Sequence, residues 1–430
     1  MSKFADLSKN QREAIGLLSV GTFLEYFDLM IYIHMAALLN QLFFPKTDPH
    51  VAKLMVATAF CTTYIFRPLG ALLFGWIGDN IGRKITVVIT TTMMAMSCVV
   101  MANLPTYAQI GITATWAVTI CRIMQGLSSM GEMVGAELYL TELIKPPARY
   151  PAICIIICAA NLGSIAALGT ATAIFSLQLS WRLIFWIGTI IALVGSVART
   201  ILRETPEFAD AKRRIKIKYE KLDINPQKLK EDIIVNQKVN KKTSISYFFI
   251  RCSGPVWLYF VYFYCADILR NSFHYNSEQV IQHNLMVACI ELLVTICYAY
   301  LSYRINPLKI IKVRLIIFST FIIFVPYLLS KSSITILLLI QSFICIFKTT
   351  STPATAMFFT HFPVFKRFTY SGFLYAASRS IMYIITSFGF VYLTKIMDHW
   401  GLLIIFIPTI LIFTFGIHHF NYLENKTENH

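Results

Sequence analysis

The stretch Gly75-Trp76-Ile77-Gly78-Asp79-Asn80-Ile81-Gly82-Arg83-Lys84 separates two apolar segments, Val51–Phe74 and Ile85–Met101. Each segment is close to the roughly 20 residues that a helix needs to cross a bilayer. The acid and the two terminal cations of the stretch are costly in hydrocarbon, so they mark a side that faces water. Adjacent cations in a short loop favour the cytoplasmic side. The stretch therefore predicts a tight, charged turn between two membrane helices.

The composition of the chain predicts a membrane protein with many spans. Hydrophobic residues make up 56% of the 430 residues and charged residues only 14%, and the mean hydropathy is +0.62. The formal charge of +16 does not indicate nucleic-acid binding, because the cations lie in loops that alternate with apolar segments. The ten cysteines form no CxxC pair, so no metal, disulfide framework or cofactor is expected.

Span length and loop chemistry predict twelve transmembrane helices in two six-helix bundles, an all-α membrane fold. The cations concentrate in loops that this count places on one side, so both termini are expected to be cytoplasmic. The predicted organisation is a first bundle at 1–202, a basic cytoplasmic linker at 203–245 and a second bundle at 246–430. The predicted spans are 14–40, 53–76, 86–103, 111–141, 150–175, 183–202, 246–270, 280–302, 312–330, 333–359, 369–395 and 401–420.

The first span carries two acids, which are rare inside a membrane and need a reason to be there. Glu25, Asp28 and Tyr32 are spaced i, i+3 and i+7, so they share one helix face. Because two acids on one intramembrane face repel each other, at least one of them should favour its protonated form and could carry a proton. The alternative is that fixed cations neutralise both acids, which then only orient the helices.

The fourth span carries a polar stripe made of Arg122, Gln125, Ser129 and Glu132. Arg122 can hold the carboxylate of a solute with two parallel hydrogen bonds, or pair with an acid of the first span. In the second span, Arg67 is expected either to reach the cytoplasmic face or to pair with Asp28.

Four motifs occur together in the first half of the chain. They are Gly21-x-x-x-Glu25-Tyr26-Phe27-Asp28, Arg67-Pro68-Leu69-Gly70 before the charged turn, the Arg122–Glu132 stripe, and Trp181–Phe185 followed by Arg199–Phe208. With them the chain resembles the metabolite:proton symporter family of the major facilitator superfamily. Its members include bacterial proline/betaine, α-ketoglutarate, citrate and shikimate permeases. The resemblance is thinner in the second half, where Phe362-Pro363 and Arg367–Phe373 match the family's turn between spans 10 and 11.

The resemblance implies a cytoplasmic gate and a central cavity. The gate would be formed by residues of the charged turn and by charges at nearby helix ends, namely Gly75, Asp79, Gly82, Arg83, Lys84, Glu142, Arg149 and Glu204. The proton-coupling and solute cavity would be lined by Glu25, Asp28, Tyr32, Arg122, Gln125 and Glu132. For the helix-end charges, ordinary surface ion pairs worth less than about 1 kcal/mol are the alternative.

The second half holds further intramembrane charges. Glu291, Lys348 and Arg379 are candidates for the cavity, because a transporter site is built from both halves near the middle of the membrane. They are either a modified solute or coupling site, or the result of drift in a lineage with relaxed constraint.

The sequence thus predicts a secondary active transporter of the bacterial inner membrane, and not an enzyme. It lacks a G-x-x-x-x-G-K-[ST] loop, an H-E-x-x-H motif and a nucleophile elbow. The expected activity is proton-coupled symport of a small zwitterion such as proline or betaine by a monomer. A carrier of di- or tricarboxylates or oxo-acids and a transporter-like solute sensor are the alternatives. The expected partners are the solute, protons and the lipid bilayer, without nucleic acid.

Overall fold

The computed structural model of the protein describes residues 7–44, 64–177, 179–200, 239–331 and 333–428, with six further positions between 202 and 213. Every regular element in these ranges is helical. We call the helices before the linker the N-terminal helices. They are α1 (Lys9–Phe43), α2 (Arg67–Asn80), α3 (Arg83–Asn103), α4 (Tyr107–Ile110), α5 (Ile112–Leu143), α6 (Arg149–Ser176) and α7 (Arg182–Arg199).

The C-terminal helices begin at Lys241, inside the segment predicted as linker. A π-helical turn at Phe260–Tyr264 and a 3-10 turn at Asp398–Leu402 each connect two of these helices directly. The helices are α8 (Lys241–Tyr259), α9 (Cys265–Phe273), α10 (Ser277–Arg304), α11 (Pro307–Ile322), α12 (Val325–Ser330), α13 (Ile334–Phe347), α14 (Thr355–Thr360), α15 (Val364–Met397) and α16 (Leu403–Glu428).

Five helical stretches of the described residues are long and apolar enough to cross a membrane. They are Arg83–Asn103, Arg149–Ile174, Lys241–Phe273, Glu278–Arg304 and Val364–Lys426, the last of which contains both α15 and α16. Large apolar side chains cover the outer faces of the helices, as a lipid environment requires. The total of twelve spans stays a prediction, since residues 53–63 of the predicted second span lie outside the described residues.

The predicted turn at Gly75–Lys84 is much shorter in the structure. Helix α2 continues through Asn80, and its last backbone bonds run from the amides of Ile81 and Gly82 to the carbonyl of Ile77, at 2.8 and 3.2 Å. Only Ile81 and Gly82 separate α2 from α3. The polar side chain of Asp79 at this end of α2 binds protein partners, so the end of the apolar run did not mark the end of the helix.

Two predicted continuous spans are interrupted in the structure. The span predicted at 333–359 consists of α13 and α14 with a non-helical break at 348–354, and the break contains Pro353. The span predicted at 312–330 is divided before Pro326 into α11 and α12. Proline lacks an amide donor, so Pro326 and Pro353 each leave a carbonyl four residues earlier without its helical hydrogen bond, which favours an interruption at both places.

The N-terminal and C-terminal helices pack against each other most extensively at two places. Helix α2 lies against α15, and α6 lies against α10. The C-terminal helices also share an aromatic core, in which Trp257 and Phe390 pack against Phe406 with ring centroids 5.0 and 5.7 Å away. The α2–α15 contact and the space between α6 and the C-terminal helices contain two of the polar sites described next.

Candidate functional site

Arg83 is the centre of a buried polar cluster at the α2–α3 turn. Its side chain has 0% exposure. Nη1 donates to Oδ1 of Asp79 at 2.9 Å and to the carbonyl of Gly78, and Nη2 donates to the carbonyl of Val364 at 2.7 Å. Nε and Nη2 bind the two oxygens of Glu142 at 3.2 and 3.1 Å. The guanidinium therefore joins α2 and α5 to the start of α15, with the bidentate geometry that suits arginine.

Glu142 connects this cluster to a second arginine. Oε1 of Glu142 also accepts from Nη1 of Arg367 at 3.2 Å, and its Oε2 accepts from the hydroxyl of Thr205 at 2.7 Å. Arg367 is 4% exposed and donates its Nε to the carbonyl of Phe362. We call Asp79, Arg83, Glu142 and Arg367 the Arg83 cluster. Both of its carboxylates and both of its guanidiniums have charged partners, so the burial of these charges is compensated.

Asp79 binds the backbone of α15 directly. Its two carboxylate oxygens accept from the amides of Phe368 and Thr369 at 3.1 and 2.8 Å. Both amides belong to the second turn of α15, so the carboxylate binds the helix backbone and not only its first residues. The contact fixes the end of α2 to the beginning of α15.

Glycines allow the close approach at this contact. A Cβ on Gly75 would stand 2.7 Å from the Cα of Thr369, and one on Gly78 would stand 2.8 Å from the ring of Phe368. Gly82 has φ 157° and ψ 154°, a region that is essentially restricted to glycine. The spacing of glycines in the turn is therefore explained by packing at two positions and by backbone conformation at the third.

The other predicted gate residues are placed differently. Arg149 donates its Nε to the carbonyl of Ile144 at 2.6 Å, where it caps the C-terminal end of α5. Lys84 is half-buried at the start of α3. Glu204 lies outside the described residues.

Asp28 is the centre of a second polar site, inside the N-terminal helices. Its carboxylate accepts from Nη1 of Arg122 at 3.1 Å and from the amide of Gln125 at 2.9 Å. Arg122 also donates to the amide oxygen of Gln125 at 2.7 Å. Arg122 was predicted either to hold the carboxylate of a solute or to pair with an acid of the first span. The structure shows the pair with an acid of the first span. A cavity of only about 10 Å³ lies here, and we call it the Asp28 pocket; it is lined by Glu25, Asp28, Arg67, Met94, Arg122, Gln125 and Ser129.

Arg67 takes neither of its two predicted positions. Its Nη1 lies 3.6 Å from Oε1 of Glu25, and its guanidinium lies over the ring of Tyr64 at 4.5 Å. Because Asp28 already forms an ion pair with Arg122, Arg67 lies closest to the other acid of the first span, Glu25. The side chains of Tyr32 and Glu132 lie outside the described residues.

A larger cavity of about 140 Å³ lies between the N-terminal and C-terminal helices, and we call it the interhelical cavity. Its lining includes Tyr26 from α1 and Asn161 from α6, together with side chains of α8, α10, α15 and the 348–354 break. The charged residues in its lining are Glu137, Arg251, Glu291, Arg314, Lys348 and Arg379. Three of these, Glu291, Lys348 and Arg379, were predicted as cavity residues.

Three of the cavity cations have clear partners. Lys348 donates to Glu291 at 2.5 Å, and Arg251 donates to Glu137 at 3.2 Å. Arg314 donates to the carbonyl of Thr352 at 2.7 Å and to that of Lys348, so it satisfies backbone groups that the helix break exposes.

Arg379 differs from the other cations of the interhelical cavity. Its guanidinium carbon lies 4.1 Å from the ring centroid of Tyr375. Among the described residues no carboxylate forms an ion pair with it. An anionic ligand in the cavity would therefore find a guanidinium that no described carboxylate neutralises and that no described backbone carbonyl binds.

Sequence reasoning missed Glu137, Arg251, Arg314 and the clustering of Arg367. The first three lie inside predicted spans, so the criterion that selected Glu291 and Lys348 applied to them equally. Arg367 stands in the quoted Arg367–Phe373 motif, but its partner Glu142 is 225 positions away in sequence. No local spacing could have indicated that contact.

The described residues contain no group of three or more His, Cys, Asp or Glu side chains that could hold a metal ion. The chemistry that this arrangement offers is the exchange of ion-pair partners. Buried acids and guanidiniums can bind one another, a proton or a charged solute, and each exchange changes which helices are joined.

Comparison with known proteins finds a family model and relatives that all belong to membrane transporters. The model of the Major Facilitator Superfamily matches residues 18–352. A putative metabolite transport protein of Haemophilus influenzae is 38% identical over 212 residues, which are 46% of this chain and 46% of the relative. The proline/betaine transporter of Escherichia coli K12 is 32% identical over 205 residues, 46% of this chain and 41% of the relative. In these matches the chain spans about half the length of the curated relatives.

The fold is similar to that of solved structures. The proton:xylose symporter XylE bound to 6-bromo-6-deoxy-D-glucose superposes with a TM-score of 0.74 over 97% of this chain and 96% of that one. The sequence identity is 14%, so this likeness describes the fold alone.

Proposed function

Because the chain belongs to the Major Facilitator Superfamily, we propose that it is a secondary active transporter that moves a small organic solute together with protons by alternating access. The observation that carries the proposal is the interhelical cavity, which is lined by charged side chains from both groups of helices. Transporters of this kind bind their solutes between their two halves, near the middle of the membrane.

The Arg83 cluster supports alternating access as the mechanism. It joins α2, α3 and α5 to α15 through buried ion pairs. Opening the protein at this end requires these pairs to separate together, since an isolated buried charge is costly. The cluster therefore acts as a gate that is either fully closed or fully open. Following the charge of the α2–α3 turn, we assign this end to the cytoplasmic side.

The size of the interhelical cavity favours a solute of few atoms. Its volume of about 140 Å³ is below the roughly 300–1,000 Å³ of pockets for drug-sized ligands. Several relatives are named as transporters of proline and betaine. The first candidate is therefore a small zwitterion, whose carboxylate would bind a cavity arginine and whose cationic group would lie near a cavity acid.

A second candidate solute follows from the charges of the cavity. Its lining holds four cations, Arg251, Arg314, Lys348 and Arg379, and two acids, Glu137 and Glu291. This positive surplus favours an anion, and a dicarboxylate or oxo-acid would neutralise it. A zwitterion would leave the surplus unchanged.

Uptake by the purified chain in liposomes tests the proposal. An inward proton gradient is imposed, and labelled proline, betaine, α-ketoglutarate, citrate and shikimate are offered with and without a protonophore. Accumulation that collapses with the protonophore is the expected result, and the labelled solute that accumulates decides between the two candidates. Binding of a solute without any uptake would contradict transport and favour the solute sensor.

The Asp28 pocket provides the first mutational test of proton coupling. Asp28→Asn keeps the size of the side chain but removes the charge that holds Arg122. We expect this variant to lose proton-driven accumulation while it still equilibrates solute down its gradient. Unchanged uphill uptake would exclude Asp28 from the coupling mechanism.

A further inference from the structure

Glu137 is a buried acid of α5 in the lining of the interhelical cavity. Its side chain is 0% exposed, and its Oε2 accepts from Nη2 of Arg251 at 3.2 Å. Its Oε1 is buried and has no hydrogen-bond partner among the described residues. Buried polar atoms normally have partners, so an oxygen without one indicates a place where a proton or a ligand can bind.

Arg251 is held in place independently of Glu137. Its Nε donates to the hydroxyl of Tyr247 at 2.9 Å, and its Nη1 donates to the hydroxyl of Ser351 at 3.0 Å. Only Nη2 is directed to the acid. If Glu137 became neutral, Arg251 would keep its position, and its Nη2 would be available to another anion.

Arg251 and Arg379 lie on the same aromatic ring. Their guanidinium carbons are 5.0 and 4.1 Å from the ring centroid of Tyr375. Gly254 lies next to this side, since a Cβ there would stand 3.8 Å from Nη1 of Arg379, at ordinary contact distance. Two cations on one ring repel each other, and a carboxylate bound to both would remove that repulsion.

We propose that Glu137 is the proton-coupling acid of the interhelical cavity, and that its protonation releases Arg251 to bind the carboxylate of the solute together with Arg379. The proton passes from water to the carboxylate of Glu137, which becomes a neutral carboxylic acid. The carboxylate of the solute then replaces that of Glu137 beside Arg251. The charge of the site is therefore the same before and after the exchange. This inference rests on the proposed symport function.

The Glu137–Arg251 pair also connects this exchange to the movement of the helices. The pair joins α5 to α8, which belong to different helix groups. If these helices separated while Glu137 stayed ionised, the fully buried carboxylate would lose its partner, which is unfavourable. Separation is therefore favoured only after the acid has been neutralised, and this requirement couples the proton to the conformational change.

The groups that face Glu137 determine how its protonation depends on pH. They are Arg251 and Tyr247 from α8, Arg379 and Tyr375 from α15, and Cys154 from α6. The two arginines oppose protonation, and burial favours it. A carboxylate bound to both arginines offsets their effect. Solute binding and proton binding therefore strengthen each other, and the affinity for the solute should rise as the pH falls.

Infrared spectroscopy tests the protonation without knowledge of the solute. The full chain in liposomes is titrated from mildly alkaline to mildly acidic pH, and the absorption of protonated carboxylic acids is recorded. We expect a band that grows as the pH falls, is absent in Glu137→Gln, and is retained in Glu278→Gln. Glu278 is an exposed acid at the start of α10 and serves as the matched control. An identical band in wild type and Glu137→Gln would overturn the proposal.

Solute binding tests the coupling. Labelled proline and labelled α-ketoglutarate are used as probes over the same pH range. For wild type we expect affinity for one of them to rise as the pH falls, by up to about tenfold per pH unit, the limit for one coupled proton. Glu137→Gln should bind that probe independently of pH and equilibrate it without accumulation, and Glu278→Gln should behave as wild type. Persistent pH dependence and uphill uptake in Glu137→Gln would overturn the proposal.

These results separate the failure of this inference from the failure of the proposed function. If Asp28→Asn loses accumulation while Glu137→Gln keeps it, symport stands and Glu137 is excluded as the coupling acid. If wild type accumulates neither probe, nor any of the other labelled solutes, the proposed function fails. The infrared titration then still decides whether Glu137 takes up a proton.

Discussion

The Arg83 cluster and the interhelical cavity contain similar charged side chains. They differ in how many of the hydrogen-bonding and charged groups have a partner. In the Arg83 cluster, Arg83 alone binds two carboxylates and two backbone carbonyls. In the cavity, Oε1 of Glu137 has no partner among the described residues, and Arg379 lies against an aromatic ring instead of an acid.

The difference indicates that the Arg83 cluster stabilises the structure and that the interhelical cavity binds ligands. A buried network in which all charges are paired resists change, because removing one member leaves its partners uncompensated. A site with an unpartnered oxygen and a cation without an acid partner has capacity left for a proton or a solute. We therefore expect substitutions in the Arg83 cluster to lower stability, and substitutions in the cavity to lower solute binding.

Arg83→Ala should have the largest effect on stability. It leaves Asp79 and Glu142 without their shared cation, and breaking a buried pair costs about 3–5 kcal/mol. The free energy of unfolding of the detergent-purified protein provides the measurement. The control is Lys9→Ala, whose exposed ion pair with Glu13 at 3.9 Å should contribute less than about 1 kcal/mol. Equal losses in the two variants would show that the Arg83 cluster does not stabilise this conformation.

Gly75→Ala should have an intermediate effect. The added Cβ would stand 2.7 Å from the backbone of α15, and overpacking of this kind costs about 1–3 kcal/mol. Because α2 and α15 must then separate, amides at the beginning of α15 should exchange hydrogen for deuterium faster than in wild type. Gly16→Ala is the matched control, as its Cβ would meet nothing within 4 Å. Similar exchange in both variants would argue against a tight α2–α15 contact.

Arg379→Gln should have the smallest effect on stability, within about 1 kcal/mol, since no ion pair with a described acid is lost. Its effect should appear in transport. Loss of the charge that we assign to the carboxylate of the solute should raise the KM for uptake about tenfold or more, which corresponds to about 1.4 kcal/mol. Unchanged uptake kinetics would exclude Arg379 from the solute site and remove the contrast between the two regions.

The sequence predicted the fold class and the family correctly, and the match to the Major Facilitator Superfamily over residues 18–352 confirms both. Its predictions at helix ends and proline breaks were less accurate. Hydropathy does not register a helix that continues past its apolar residues, as α2 does through Asn80, and it does not register the break at 348–354 inside an apolar segment. The twelve-span total, the domain boundaries and the roles of the site residues remain predictions.

Composition and motifs by themselves determined that this chain lies in a membrane, is built from helices and carries charged residues within its apolar segments. The reason is that a backbone in hydrocarbon must satisfy its hydrogen bonds internally, and every charge there is costly. Spans are therefore visible in the sequence as long apolar runs with few charges. Only the tertiary structure decided which charges meet. Arg83 and Glu142 are 59 positions apart, and Glu137 and Arg251 are 114 apart. Such pairs form because folding brings distant helix faces together and then requires every buried charge to find a partner.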